Sequence, residues 1–141
     1  MKARYVLVVL GIALTTVGCG KQSPVETQPL GSSVAVSEKE FTITPDVARV
    51  KAGMVTFTVT NSGTIDHEFV VIKTDLDPTK LPMKGGVEVD ETKVSSPGEL
   101  EGIKPGKTKT GSFELPAGRY VLICNIEGHY SGGMRTALES A

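Results

Sequence analysis

From about residue 37 to the end of the chain, apolar and polar residues alternate in short runs. An alternation with a period of two is typical of β-strands that bury one face. The clearest run is MVTFTVT at 54–60, in which Val55, Phe57 and Val59 share one face. The run HEFVVIKT at 67–74 is more continuously apolar and predicts a strand buried on both faces for part of its length. Further short strands are predicted at 40–44, 47–53, 107–116, 119–125 and 134–140.

Residues 75–104 interrupt this pattern with many charges, four glycines and three prolines. They predict a long excursion with a short helix or strand around 87–89, because a structureless loop of that length is uncommon in a compact domain. No internal repeat and no long helix is evident. About seven or eight short strands predict an all-β fold, a Greek-key β-sandwich, formed by one domain at 37–141.

The first 36 residues differ from the rest. Residues 1–18 combine two basic residues, an apolar run too short to span a bilayer and small residues, which is the layout of a signal peptide. The tetrapeptide TVGC at 16–19 resembles a bacterial lipobox, so we expect Cys19 to be lipidated; the alternative is an exported protein whose Cys19 is lost or free. Residues 19–36, rich in Gly, Pro, Ser and Gln, predict a lipid-anchored flexible linker. The expected location is therefore the periplasmic or cell-surface side of a membrane.

The charge is nearly balanced, with 15 Lys and Arg against 16 Asp and Glu, which argues against nucleic acid as a partner. The chain has two cysteines, and if Cys19 carries lipid, Cys124 has no disulfide partner. An unpaired thiol is unusual in an exported protein, because that compartment oxidises thiols. A disulfide between Cys19 and Cys124 is the alternative, but it leaves the residues around Cys124 unexplained.

The segment CNIEGHYSGGM places Cys124, His129 and Met134 at regular intervals near the end of the chain. The other histidine, His67, begins the strand HEFVV on the face that its alternation turns toward the core. Cys124 lies at the end of the inward face of its own strand. A sandwich that brings these two strand ends together would place all four side chains around one point.

A thiolate, two imidazoles and a thioether are soft or borderline ligands. Two His and one Cys in a trigonal plane, with a weak axial Met, define a blue-copper electron-transfer site. Zinc is an alternative, because Cys and two His with an open fourth position suit it. A dinuclear copper site is excluded, since it needs a second cysteine in the loop, where residue 128 is Gly. No histidine remains for a catalytic copper, so we do not expect an enzyme.

With these motifs, most of residues 37–141 resembles the cupredoxins, the small type 1 blue copper proteins. NSGTIDH at 61–67 is similar to the family's turn before its first ligand histidine, and 118–134 is similar to its G-x-Y-x-[FL]-x-C…H…M signature. The spacing C-x₄-H-x₄-M resembles the sulfocyanin, auracyanin and rusticyanin branch. The resemblance implies one type 1 copper ion with the ligands His67, Cys124, His129 and Met134.

Two positions beside the ligands depart from that family. Many cupredoxins have Asn directly after the first ligand His, whereas here Glu68 follows His67 and Asn125 follows Cys124, which we interpret as a reversal of the pair. The resemblance implies that the backbone N–H of Glu68 donates to the cysteine sulfur. A buried carboxylate at Glu68 would raise its own pKa and shift the copper potential.

Two functions remain. The first is a membrane-tethered electron carrier that shuttles single electrons between redox proteins, with His129 as the exit through an apolar patch lined by Ile126, Tyr130 and Met134. The second is a copper carrier or chaperone that delivers copper to an oxidase. A delivery protein usually offers an open site rich in Met or His, and only three Met follow the signal peptide, which favours the electron carrier. A fold that has lost its metal and only binds a partner is a weaker alternative, because the ligand set is intact.

Overall fold

The alternating runs form the strands of two facing sheets. The computed structural model describes residues 30–141. In the run at 54–60, Val55, Phe57 and Val59 are buried, as the alternation predicts. The strands are β1 (Ser33–Lys39), β2 (Thr42–Pro45), β3 (Arg49–Val50), β4 (Gly53–Asn61), β5 (His67–Lys73), β6 (Met83–Lys84), β7 (Glu88–Val89), β8 (Ser95–Ile103), β9 (Thr108–Leu115), β10 (Gly118–Ile123) and β11 (Arg135–Ser140); a 3₁₀ turn spans Glu91–Lys93, and helix α1 spans His129–Gly132.

The larger strands divide into a four-stranded sheet with the order β2-β1-β4-β9 and a five-stranded sheet with the order β3-β11-β10-β5-β8. Strands β1 and β4 pair in parallel, as do β3 and β11, and the other pairs are antiparallel. The predicted all-β sandwich is confirmed. The described residues contain eleven strands rather than seven or eight, because two-residue strands such as β3, β6 and β7 are too short to show an alternation.

Strands β5 and β10 are buried on both faces, which confirms the prediction for the run HEFVVIKT. Their inward residues, such as Phe69 and Leu122, join the core between the two sheets. Their outward residues, such as Val70 and Val121, form a second apolar cluster with Leu81, which lies in the excursion. The excursion therefore covers the outer face of the five-stranded sheet, so the ends of β5 and β10 are held from both sides.

The predicted boundary between linker and domain was wrong by a few residues. Residues 33–36 belong to β1, and Val34 and Val36 are buried in the core. Gly, Pro and Ser around this segment hid a strand whose inward face is only three residues long. The predicted strand at 40–44 was also displaced, since Glu40 and Phe41 form the turn between β1 and β2.

The excursion is shorter than the sequence suggested. Strand β7 and the 3₁₀ turn confirm local structure around 87–89, but residues 95–103 form β8, a full edge strand paired with β5. The many polar residues of β8 concealed it, because an edge strand exposes most of its side chains to water. We keep the name excursion for residues 75–94.

The predicted signal peptide at 1–18 and the lipidation site Cys19 lie outside the described residues. Between residues 30 and 141, no helix is long and apolar enough to cross a membrane.

Candidate metal centre

Two neighbouring strands and one short helix bring His67, Cys124 and His129 together. His67 is the first residue of β5, and Cys124 follows the last residue of β10. These strands are antiparallel neighbours in the five-stranded sheet, so the start of one adjoins the end of the other. His129 is the first residue of α1, in the loop that leaves Cys124. All three residues are buried, with exposures of 0%, 0% and 6% in that order.

The potential ligand atoms of these residues point at one another. The two Nδ1 atoms of His67 and His129 are 3.3 Å apart. The Cys124 Sγ lies 3.3 Å from Nδ1 of His129 and 3.9 Å from Nδ1 of His67. A metal bonded at about 2.0 Å to nitrogen and about 2.3 Å to sulfur, in a trigonal plane, would separate these atoms by about 3.5 to 3.7 Å. The three atoms therefore fit a single trigonal metal ion.

The loop after Cys124 is closed by its own backbone. Gly128 has a φ of 82°, a left-handed conformation that favours glycine, and its N–H donates to Val87 in the excursion. The N–H of Met134 donates to the carbonyl of His129, and the N–H of Cys124 donates to the carbonyl of Met134. Met134 is thus returned beside Cys124, and its side chain is fully buried in the same core cluster.

The protonation of the three side chains suits a metal site. Burial raises the pKa of the Cys124 thiol to about 12, so a bound cation is required to hold it as a thiolate at neutral pH. Burial lowers the pKa of His67 and of His129, which keeps both imidazoles neutral. A metal can therefore bind both rings without competing with a proton, and its uptake would release the proton of the thiol.

Glu68 and Asn125, the residues that follow His67 and Cys124, make different contacts around the metal centre. The N–H of Glu68 donates to the Cys124 sulfur at 3.5 Å, which is the contact that the resemblance implied. Burial, reinforced by the charge of Glu91, raises the pKa of the Glu68 carboxyl. The Asn125 side chain accepts from the N–H of Val89 at 2.6 Å, and its amide donates to the Glu91 carboxylate at 2.7 Å. The side chain of Asn125 therefore ties the loop to the excursion, whereas its backbone N–H faces the Glu68 carboxyl and partly offsets the rise of that group's pKa.

A second segment lies at the site that sequence reasoning missed: residues 38–41, which we call the turn segment. The Glu40 carboxylate lies 3.7 Å from Nε2 of His67. Phe41 packs edge-on against the His129 ring, with centroids 5.6 Å apart. Neither residue belongs to a recognisable spacing motif, and both reach the site only because β1 lies beside the end of β4.

The apolar patch predicted around His129 has different members. Tyr130 is buried in the second apolar cluster, where its hydroxyl donates to Pro78, and Met134 is fully buried. The large apolar side chain exposed beside the His129 ring is Phe41, at 48%. Of the three side chains that were predicted to line the patch, only that of Ile126 is partly exposed.

Comparison with known families agrees with this geometry. The Sulfocyanin (SoxE) domain matches residues 47–141, well over half of the chain. The chain belongs to this family. Together with the His–Cys–His cluster, membership of the sulfocyanin family identifies a cupredoxin-like blue copper protein with one type 1 copper ion, as predicted.

One curated relative and two solved structures illustrate the similarity. The copper-resistant cuproprotein CopI of Vibrio cholerae is 30% identical over a 106-residue alignment, which covers 72% of this chain and 59% of CopI. The chain thus spans less than two thirds of that relative's length. An auracyanin from Roseiflexus castenholzii matches with a TM-score of 0.61 at 21% identity. The match covers 79% of the present chain and 98% of the auracyanin. Rusticyanin from Thiobacillus ferrooxidans matches with a TM-score of 0.51 at 18% identity, over 79% of each chain. These two likenesses support the cupredoxin fold.

Proposed function

We propose that this protein carries single electrons between redox proteins, using copper bound by His67, Cys124 and His129, with Met134 as a weaker axial ligand. The observation that supports this most strongly is the convergence of two Nδ1 atoms and one Sγ within a buried cluster. Copper held by such ligands supplies a centre that accepts and releases one electron.

The chain's own contribution is to hold these side chains still. His67 and Cys124 stand at the ends of adjacent, doubly buried strands, and the hydrogen bonds of the 124–134 loop fix His129 and Met134. The N–H groups of Glu68 and Ile126 both favour the thiolate form of Cys124. Because every proposed ligand is almost inaccessible to water, little rearrangement is required when the charge at the centre changes.

Electrons would enter and leave at the His129 side. His129 is the only one of the four proposed ligands with measurable exposure, 6% against 0% for the others. The exposed Phe41 ring stands against it and offers an apolar surface to a partner.

Both histidines of the chain are assigned to copper, so we propose that the protein is not an enzyme.

The proposed setting is the periplasmic or cell-surface side of a membrane. The basic and apolar start of the chain, the lipobox-like TVGC and the Gly/Pro/Ser-rich residues that follow support a lipid-anchored domain on a tether. The redox partners would then be proteins at or near the same membrane.

Copper handling is the second candidate function. It is favoured by the similarity to a protein described as a copper-resistant cuproprotein. Complete burial of His67, Cys124 and Met134 opposes it, since a carrier must release its ion readily.

The first test is a visible spectrum of the purified protein after addition of Cu(II). We expect an intense thiolate-to-copper band that a reductant bleaches reversibly, that is absent in Cys124→Ser and that persists in the control Cys19→Ser. A protein without that band would contradict the proposed copper site.

The second test separates the two functions by copper exchange. For an electron carrier, a copper chelator should remove the ion over hours while electron exchange with a small redox mediator is fast. Rapid transfer of Cu(I) to the chelator, with slow electron exchange, would instead favour copper delivery.

A further inference from the structure

The ring of His67 has a second nitrogen that the metal site does not use. Its Nδ1 faces Cys124 and His129, so a ring that binds a metal through Nδ1 carries its proton on Nε2. That nitrogen is fully buried and has no hydrogen-bond partner among residues 30–141. A buried N–H without an acceptor is unfavourable, because it has lost its hydrogen bond to water. The charged atom that faces it is Oε1 of Glu40, at 3.7 Å.

The Glu40 carboxylate is held in place by residues 63–65, in the turn between β4 and β5. Its Oε1 accepts from the N–H of Thr64 at 2.6 Å and from the N–H of Ile65 at 2.9 Å. Gly63 leaves room for it, since a Cβ at that position would lie 2.4 Å from the same oxygen. These hydrogen bonds hold the pKa of Glu40 down at about 2, so the group carries a negative charge under all ordinary conditions.

Residues 63–65, which we call the cradle of the Glu40 carboxylate, lead directly into His67. The cradle and the proposed ligand therefore share one short stretch of chain. A carboxylate fixed to that stretch therefore moves with the ring that it faces. Carboxylates that accept from the outer N–H of a metal-bound histidine fix the ring's tautomer and orientation and make it a stronger ligand. The side chain of Asp66 carries a similar charge but pairs with Lys104 at the surface.

We propose that Glu40 is a positioning residue of the metal centre, whose negative charge attracts the Nε2–H of His67, keeps Nδ1 directed at the copper site and favours Cu(II) over Cu(I). The last effect follows because a fixed negative charge stabilises the more positive oxidation state. This inference rests on the proposed function, in which His67 is a copper ligand.

Glu40→Gln is the decisive variant, because a glutamine oxygen still accepts from Thr64 and Ile65 while the charge is lost. The full-length copper protein should show a higher reduction potential and a Cu(II) affinity about 10-fold to 100-fold lower. The matched control is Asp66→Asn, which removes an equal charge next to His67 without touching its ring. Equal effects of the two variants would overturn the proposal, since they would reflect net charge alone.

A readout without copper makes the test independent of the metal. Imidazole ¹⁵N shifts of the metal-free protein should show His67 with its proton on Nε2 in the wild type and a mixture of tautomers in Glu40→Gln. An unchanged tautomer, with an unchanged potential, would contradict a positioning role.

A second variant covers the case in which Glu40→Gln does not fold. Gly63→Ala keeps the charge but displaces the carboxylate from its cradle, so it should alter the His67 tautomer in the same direction. If Gly63→Ala left the tautomer as in the wild type, the proposal would be wrong. Failure of the proposed function would look different, because the wild-type protein itself would then lack the thiolate-to-copper band.

Discussion

Two segments border the metal centre, and they contact different parts of it. The turn segment, 38–41, contacts the two histidine rings of the proposed copper site, through Glu40 on His67 and Phe41 on His129. The excursion, 75–94, contacts the loop but not the rings, through Asn125 and the hydroxyl of Tyr130. Changes in the turn segment should therefore alter the metal's properties, whereas changes that loosen the excursion should alter stability and leave the copper spectrum unchanged.

The largest expected effect concerns Glu38, at the buried end of the turn segment. Its carboxyl is fully buried, and neither oxygen has a hydrogen-bond partner in the described part of the chain. Burial, with a contribution from the charge of Glu68, raises the pKa of Glu38 from 4.5 to about 8. Since the folded state binds this proton more tightly than the unfolded state, the stabilisation is complete below pH 4.5 and is lost as the pH rises toward 8.

As the pH rises from 5 to 8, the free energy of unfolding of metal-free Glu38→Gln should increase by about 3 kcal/mol relative to that of the wild type. This follows from about 1.4 kcal/mol for each unit by which the pKa is raised. Urea unfolding of both proteins at the two pH values measures this. The difference between the proteins is the relevant quantity, because the lowered pKa values of His67 and His129 act in the opposite direction. Glu139→Gln, at an exposed pair with Arg49, is the control. A parallel pH dependence in Glu38→Gln and the wild type would count against a protonated Glu38.

Gly133→Ala tests the contact between the loop and the turn segment. Gly133 has a φ of 127°, and a Cβ there would lie 2.9 Å from the carbonyl oxygen of Phe41. We expect a loss of about 2 kcal/mol in the free energy of unfolding, together with a shift of the copper band, because His129 and Phe41 must separate. Gly106→Ala also places a Cβ at positive φ, but at 70°, in the ordinary left-handed region, where the strain is smaller, and no neighbour lies within 4 Å; it should lose less stability without changing the spectrum. If the copper band had the same position in Gly133→Ala and Gly106→Ala, the turn segment would not influence the metal centre as proposed.

Asn125→Ala tests the link between the loop and the excursion. Its removal leaves the buried N–H of Val89 without an acceptor, which should lower the free energy of unfolding by about 1.5 kcal/mol. Hydrogen exchange should show loss of protection at 87–93, while the copper band keeps its position. A displaced band would show that the excursion acts on the ligands after all.

Tyr130→Phe should have the smallest effect. The hydroxyl of Tyr130 donates to Pro78 and accepts from the N–H of Leu81, so its loss should lower the free energy of unfolding by about 1 kcal/mol, again with an unchanged spectrum. Tyr120→Phe, whose hydroxyl donates to Pro116, is a matched control outside the excursion. Only Tyr130→Phe should increase exchange at 78–81.

Much of the site could be predicted because its pattern is local. The spacing of Cys124, His129 and Met134 is set within one loop, and His67 lies at the start of a strand with a clear inward face. The alternation in β4 and the apolar run in β5 predicted the sandwich for the same reason. Strand β8 escaped prediction because an edge strand is mostly polar, and the start of β1 because Gly and Ser precede it.

The sequence by itself determined the strands with strong alternation, the type of ligand and the likeness to blue copper proteins, because these depend on neighbours along the chain. Only the tertiary structure showed that Glu40 faces His67, that Phe41 rather than Tyr130 covers His129, and that Asn125 holds the excursion. These contacts join residues that are 27, 88 and 36 positions apart in the sequence. No periodicity records such a contact, because it exists only once the two sheets have packed face to face.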